Sequence, residues 1–319
     1  MYATIRHFMQ ALLTPDLSFR TLTDARAALT EEGLPRLHRT TRFAEAEISW
    51  NGARWLLAMP LHPSAMRRIE RLVPQLRRCG SPALVNYRIL PQELQTDGLV
   101  SDLVLQRLPE GRPLGEMTPY ASGSALLAAL DTLEQELRRA GFVHGNLKPA
   151  NLIWSEGALY PVRYHDASFG VNPAGDAAAF EALRRQVREA TGCDELHDAT
   201  VAYAAVPQLE GHLWTGHPFE GLICVEDETG FGYVDAANRT VIPAQFRWAG
   251  DFREGRAEVE TFEGKMGLID RTGRYVLPPV YEIVEYDPAT SRILARRDGL
   301  WAEFGYTGGQ LTEFTKQSI

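Results

Sequence analysis

The last hundred residues repeat themselves with a period of 35, which restricts them to an array of short strands. Gly232-Tyr-Val-Asp-Ala-Ala-Asn-Arg-Thr-Val-Ile-Pro243 aligns with Gly267-Leu-Ile-Asp-Arg-Thr-Gly-Arg-Tyr-Val-Leu-Pro278. A degenerate third copy begins at Trp301-Ala302, with Thr307-Gly308 in register. Each copy sets two apolar strands around a turn whose key residue is Asn238, Gly273 or Gly308. Asn and Gly tolerate left-handed backbone, so the pattern predicts hairpins with positive φ. Pro243 and Pro278 are expected to close the second strands, and Phe252-Arg-Glu-Gly-Arg-Ala257 links the copies. Such units bury their cores by stacking, and about three are needed for stability. With two regular copies and a worn third, the array is expected to lean on the preceding domain for a cap.

Composition bounds the rest. A length of 319 residues fits roughly two domains, and 45% hydrophobic with 23% charged residues is ordinary for a globular chain. A net charge of −8 speaks against a nucleic-acid or anionic-membrane binder, and the acidity reads as spread along the chain. Cys79, Cys193 and Cys224 lack a C-x-x-C spacing, which argues against a disulfide framework or zinc site and for a reducing cytoplasm. The first residues, Met1-Tyr-Ala-Thr-Ile-Arg, lack a leader pattern, and no run reaches the ~18 apolar residues of a membrane span.

Before the repeats the periodicity is mixed. Ile5, Phe8, Met9, Leu12 and Leu13 share helical spacing up to Pro15-Asp16, and a second short helix is expected from Thr23-Asp24 to Gly33. Phe43 to Leu61 reads as a hairpin around Asn51-Gly52. Ala44, Ala46, Ile48 and Trp50 would face inward there, and Glu45, Glu47 and Ser49 outward. Pro63-Ser64 opens a helix running through Val73. Another helix spans Ser124 to Arg139, with Leu126, Leu127, Leu130, Leu133 and Leu137 on one face and Gly141 ending it.

That helix delivers the chain into Phe142-Val-His-Gly-Asn-Leu-Lys-Pro-Ala-Asn-Leu-Ile-Trp154. The segment resembles the catalytic loop of protein kinases, H-x-D-L-K-P-x-N, with Asn146 where the aspartate belongs. His144-Gly145 also resembles the H-G-D of aminoglycoside phosphotransferases, while Lys148-Pro149 favours the protein kinases. The resemblance implies a reduced bilobal domain with the Phe43–Leu61 hairpin in its small lobe. Leu105 would be the gatekeeper, and Gln106 and Leu108 would present backbone to an adenine. Asn151 would match the magnesium-holding asparagine and Asp166 the metal aspartate of D-F-G; a competing register puts Ser168 there instead. Asp176, a good N-cap for a helix from Ala177 to Glu189, would tie down the catalytic loop.

The same resemblance implies inactivity. The aspartate accepts the proton of the attacking hydroxyl, and the Asn146 amide has no basic oxygen. Leu37 to Phe43, in the place of the glycine-rich loop, contains no glycine. No lysine precedes Lys148, so the small-lobe lysine expected near Ala58 or Met59 is missing, with Arg54 the candidate substitute and Glu70 the candidate for its helix partner. Nine residues between Asp166 and Asp176 leave no room for a peptide platform. No catalytic residues are therefore expected among His144, Asn146 and Lys148. If a nucleotide binds, Gln106, Leu108 and Lys148 would hold it, with Asn151 and Asp166 on the metal.

The period-35 pattern resembles the WG (KWG) repeat of bacterial proteins, over roughly residues 219 to 314. The expectation is an α+β chain: a helical extension (1–40), a reduced kinase-like domain (41–190), a linker (191–217) and an all-β WG-repeat domain of short antiparallel strands (218–319). It would act as a cytoplasmic pseudokinase that binds or regulates unknown protein partners, without nucleic acid, membrane or cofactor. The alternative is a divergent protein binding ATP with Mg²⁺ or Mn²⁺ and having weak phosphotransferase activity.

Overall fold

In the computed structural model, which describes residues 3–117, 121–170, 176–192, 209–288 and 290–316, the chain begins with the amphipathic helix α1 (Ile5–Leu13). It buries Phe8, Ala11 and Leu12. Pro15 does not end helicity but opens a single further turn, α2 (Pro15–Ser18). The helix expected from Thr23 to Gly33 is absent. That stretch is extended, with β1 (Arg26–Ala27) pairing onto a later strand and Leu29 bridging Pro35. Just before it, the buried carboxylate of Glu93 accepts Thr21 N, Thr21 Oγ1 and Leu22 N, each at 2.8 Å. Within the stretch, Arg26 and Ala27 pair with Ser49 and Ile48 and Ala28 N donates to Glu47 O at 2.9 Å, so sheet pairing outweighs a weak local helical preference.

Strands β2 (Leu37–Arg39), β3 (Phe43–Trp50), β4 (Ala53–Pro60), β5 (Tyr87–Thr96) and β6 (Leu99–Arg107) complete an antiparallel sheet. Its order is β1-β3-β4-β6-β5, with β2 also on β3. Asn51 and Gly52 turn β3 into β4 with φ of 50° and 69°, as a type I′ turn requires. Helix α3 (Pro63–Cys79) joins β4 to β5 and runs past the expected Val73, with Pro74 inside it.

Both faces of this sheet are covered. Ala44, Ala46, Ile48, Leu57, Met59, Leu103 and Leu105 pack under α1. Phe43, Ala58 and Val104 face α3 and the helices beyond. Since strand side chains alternate, Glu45 lies on the second buried face and is only 1% exposed. The outward placement expected for Glu45 is thus corrected, whereas Glu47 and Ser49 are exposed.

Next come β7 (Arg112–Pro113), α4 (Leu114–Met117) and the long helix α5 (Gly123–Ala140). Ser122 caps α5, and Gly141 ends it at φ 64°. Strand β8 (Phe142–Val143) leads into the loop, and the hairpin β9 (Leu152–Ser155) and β10 (Ala158–Pro161) follows it. The second strand of that hairpin ends at Pro161; Arg163 is left-handed (φ 65°), and a 3₁₀ turn carries Tyr164–Asp166. Strand β11 (Ser168–Phe169) pairs back on β8, and α6 (Ala177–Thr191) packs its Phe180, Leu183 and Val187 into the core with Leu126, Leu130 and Leu133 of α5.

The chain divides into two compact units, Met1–Ala202 and Tyr203–Ile319. Among the described residues the second contains strands and no helix. Its elements are β12 (Trp214–Phe219), β13 (Leu222–Asp227), β14 (Gly230–Asp235), β15 (Thr240–Phe246), β16 (Trp248–Ala249), β17 (Arg256–Glu260), β18 (Met266–Asp270), β19 (Tyr275–Tyr281), β20 (Ile283–Asp287), β21 (Arg292–Arg297) and β22 (Leu300–Phe304). They form antiparallel sheets β12-β13-β14-β15, β16-β17-β18-β19 and β20-β21-β22. Bridges Trp301–Thr315 and Phe304–Gln310 give the third sheet a partial fourth strand.

Each repeat is thus built on up to four strands rather than two. The first strand, β12, starts inside the segment expected as linker, of which residues 193–208 lie outside the described residues. The turns at Asn238, Gly273 and Gly308 have φ of 59°, 83° and 83°. Pro243 and Pro278 do not close strands; β15 and β19 run through them. Both strands lie at the ends of their sheets, where a missing N–H costs no ladder bond. Trp248 and Tyr281 are core residues.

The acidity is not spread evenly either. Residues 203–319 hold 18 acidic and 11 basic side chains, against 23 and 22 in residues 1–202. No helix among the described residues is long and apolar enough to cross a membrane.

Candidate functional site

The loop from His144 to Asn151 is held from three directions. Asp176, at the start of α6, makes no capping bond with its own helix. Its carboxylate instead accepts His144 N at 2.6 Å and Gly145 N at 2.9 Å. The buried His144 ring is fixed by Val162 O, 2.8 Å from Nε2, and by Asn146 N, 3.3 Å from Nδ1. Those contacts place the proton on Nε2 and leave Nδ1 as acceptor. Gly145 is left-handed (φ 72°), and a Cβ there would lie 2.8 Å from Asp166 O, so only glycine fits.

These contacts bring three of the predicted residues together. Asn146 Nδ2 donates to Asp166 Oδ2 at 3.4 Å, and Asn151 Nδ2 donates to Asn146 O at 2.8 Å. Asn151 is 1% exposed, and its Oδ1 is buried without a hydrogen-bond partner. Of the two D-F-G registers, Asp166 reaches the loop amide, whereas Ser168 sits in β11 opposite Val143. Lys148 is half-buried on the same loop, and its carbonyl accepts Asn151 N at 2.8 Å.

Gln106 and Leu108 lie across from the loop, but their polar groups are turned to the protein. Gln106 pairs with Leu56 on one side and Tyr87 on the other, inside the sheet. Its Oε1 accepts Arg163 N at 2.6 Å, and Leu108 N donates to Arg54 O at 3.0 Å. Leu108 packs with Leu56, Ile153 and Val162. Leu105, expected as a gatekeeper over the cleft, sits on the opposite face against α1, because the strand alternation gives the cleft Val104 and Gln106 instead. Arg54 is tied to Glu47 Oε2 at 3.0 Å and Gly111 O at 3.3 Å. Glu70 is exposed on α3.

The strongest polar cluster was not anticipated from sequence. Glu45, on β3, accepts Arg163 Nε at 2.9 Å on Oε2, contacts His165 Nε2 at 2.6 Å through Oε1, and has His38 Nδ1 3.1 Å from Oε2. His165 Nδ1 lies 3.0 Å from Tyr87 OH, and its ring stacks on Phe43 with centroids 4.0 Å apart. Arg163 Nη1 also donates to Ala150 O at 3.2 Å. Burial alone would raise Glu45. The Arg163 charge and the hydrogen bonds of His165 and His38 more than offset it, and hold the carboxyl well below its usual range. Tyr87 is pushed well above its usual value by burial and by the Glu45 and Asp166 charges. One signal in the sequence pointed here: Glu45 shares strand parity with Phe43, so a core Phe43 brings Glu45 inward.

Among the described residues no group of three His, Cys, Asp or Glu side chains is arranged to hold a metal, and Cys79 and Cys224 are free thiols. A family profile described as the WG containing repeat matches residues 231–265 and 266–301. No curated protein matches the chain. The C-terminal unit is therefore similar to WG repeats over its central part; β21 lies inside the second match, and most of β22 with its bridges to Gln310 and Thr315 lies beyond it.

Proposed function

We propose that the first unit is a kinase-like pseudoenzyme and that the chain works as a protein-binding or regulatory module, with its WG repeats supplying the partner surface. The observation that carries this reading is the Asp176 carboxylate on the His144 and Gly145 N–H groups. That is the tie the kinase resemblance implies for the helix after the catalytic loop. The order of elements supports it as well: hairpin, helix, strand pair, long helix, loop, hairpin and a final helix.

Inactivity follows from chemistry. Asn146 has no basic oxygen and is already donating toward Asp166. A lost general base costs ~10²–10⁴-fold, and here the phosphate lysine is missing as well. Ala58 and Met59, where that lysine would stand, are buried apolar residues.

The second reading is a divergent ATP–Mg²⁺ or ATP–Mn²⁺ binder, and one observation favours it. The buried, unpartnered Oδ1 of Asn151 near Asp166 suits a cation ligand. Against it stand the packed Leu56–Leu108–Ile153–Val162 cluster and the occupied Leu108 N–H. Thermal unfolding of the full chain with ATP and Mg²⁺ or Mn²⁺ decides between them, because a ligand that binds only the native state must raise its melting temperature. No shift is expected. A rise that disappears in Asp166→Ala would replace the first reading with the second.

A further inference from the structure

We propose that the cleft between the sheet and the loop is a guanidinium site that the chain fills with its own Arg163, a tethered occupant standing where the resemblance would put a nucleotide. The comparison with nucleotide rests on the kinase-like reading; the site itself rests on geometry alone. Its acceptors come from separate elements. Glu45 Oε2 on β3 takes Nε at 2.9 Å, and the Ala150 carbonyl on the loop takes Nη1 at 3.2 Å. A planar fork reaches two acceptors at fixed angles, which a lysine ammonium cannot copy. The Glu45 carboxylate is itself fully buried and held from its other side by His165. Beside the guanidinium a cavity of about 290 Å³ is lined by Leu37, His38, Glu47 and Leu56. That cavity gives a small planar cation a way in once the side chain is removed.

The backbone of Arg163 strengthens the inference. With φ 65° and ψ 64° it occupies a region that disfavours every L-residue except Asn, Asp and the achiral glycine. Glycine at 163 would relieve that strain. If the side chain were only solvated surface, Arg163→Gly would stabilise the protein. If it is a bound ligand, the same variant must destabilise it in spite of the relieved backbone. Arg163 also stands between the elements it joins: its N–H holds Gln106 of β6, and the chain continues through Tyr164, whose hydroxyl accepts Val85 N at 3.0 Å. The occupant therefore fastens the sheet to the loop, the work a nucleotide and its lysine would otherwise do.

The test is chemical rescue in the full chain, read as melting temperature. Arg163→Gly should melt below the wild type. Ethylguanidinium should raise it along a saturating curve, and ethylammonium at equal ionic strength should not. Wild type should respond to neither, and Arg163→Gly with Glu45→Gln should lose the rescue. A glycine variant melting at or above wild type would overturn the proposal. So would equal responses to the two cations, or rescue that survives without Glu45. If the glycine variant does not fold, Arg163→Lys decides: a melting temperature equal to wild type would show that no guanidinium is required. A wild-type rise with ATP and Mg²⁺ would overturn the occupancy yet leave the kinase-like fold standing. Absent rescue together with no nucleotide response would overturn the guanidinium site and leave the pseudoenzyme reading untouched.

Discussion

Glu45→Gln is the substitution with the sharpest consequence, because it changes one charge and almost no volume. The carboxylate is 1% exposed and receives Arg163, His165 and His38. A glutamine keeps one acceptor oxygen and turns an NH₂ toward a group that was donating. Losing one charge-assisted hydrogen bond costs about 1.5–3 kcal/mol, and breaking a fully buried ion pair about 3–5 kcal/mol. Arg163 is 21% exposed, so water partly recovers its charge. The expected loss at pH 7 is therefore about 2–3 kcal/mol. The pH dependence adds an independent check. The folded Glu45 carboxyl lies well below its ordinary 4.5, so its contribution is complete above that value and disappears as pH falls through the folded value. Urea unfolding of both proteins from pH 7 downward should show a gap that is constant above pH 4.5 and narrows below it. A gap under about 0.5 kcal/mol, within the range of ordinary surface substitutions, would refute this account of the clasp, as would a gap that ignores pH.

Three further outcomes are expected. Asp176→Ala removes the acceptor of one buried and one half-buried backbone N–H group and should cost about 2–3 kcal/mol in urea unfolding, beyond the ~1 kcal/mol of a lost helix cap; a cap-sized loss would mean that the loop does not depend on it. Asn146→Asp should not produce measurable ADP from ATP, since the lysine and glycine loop are still missing, and any turnover above the blank would contradict inactivity. In the repeats, Gly308→Ala places a Cβ 2.2 Å from Val276 O, whereas Gly299→Ala meets open space at a similar φ. The second should cost only the left-handed strain of about 1–2 kcal/mol and the first clearly more, as read by urea unfolding; equal losses would remove the stacking contact from the account.

The parts of the fold legible in the sequence are those governed by short-range rules. The Asn51-Gly52 hairpin, the α5 helix between Ser122 and Gly141, and the three left-handed turns of the repeats follow from residues that nearly determine their own backbone. What escaped is set by partners far along the chain. Residues 26–28 are extended because they pair onto β3. Glu45 is buried because its strand is covered twice, by α1 on one side and by Arg163 and His165, 118 and 120 residues away, on the other. A period-two pattern reports one buried face, and it misplaces a charged residue when both faces are buried. Leu105 failed for the same reason: on a strand with two apolar faces, hydrophobicity cannot say which one points at the loop.

The prolines of the repeats carry the same lesson to a wider scale. Read locally, Pro243 and Pro278 stop strands. In the sheets they fall within β15 and β19, which pair on one side only. An edge strand with a proline cannot readily recruit another chain by backbone pairing, so any partner bound at these edges would have to be read by side chains. Val241 and Val280 stand exposed on these two strands, Tyr275 beside them. Any binding surface of the array should then be sensitive to those side chains and indifferent to strand-pairing peptides. That would separate it from the β-augmentation mode.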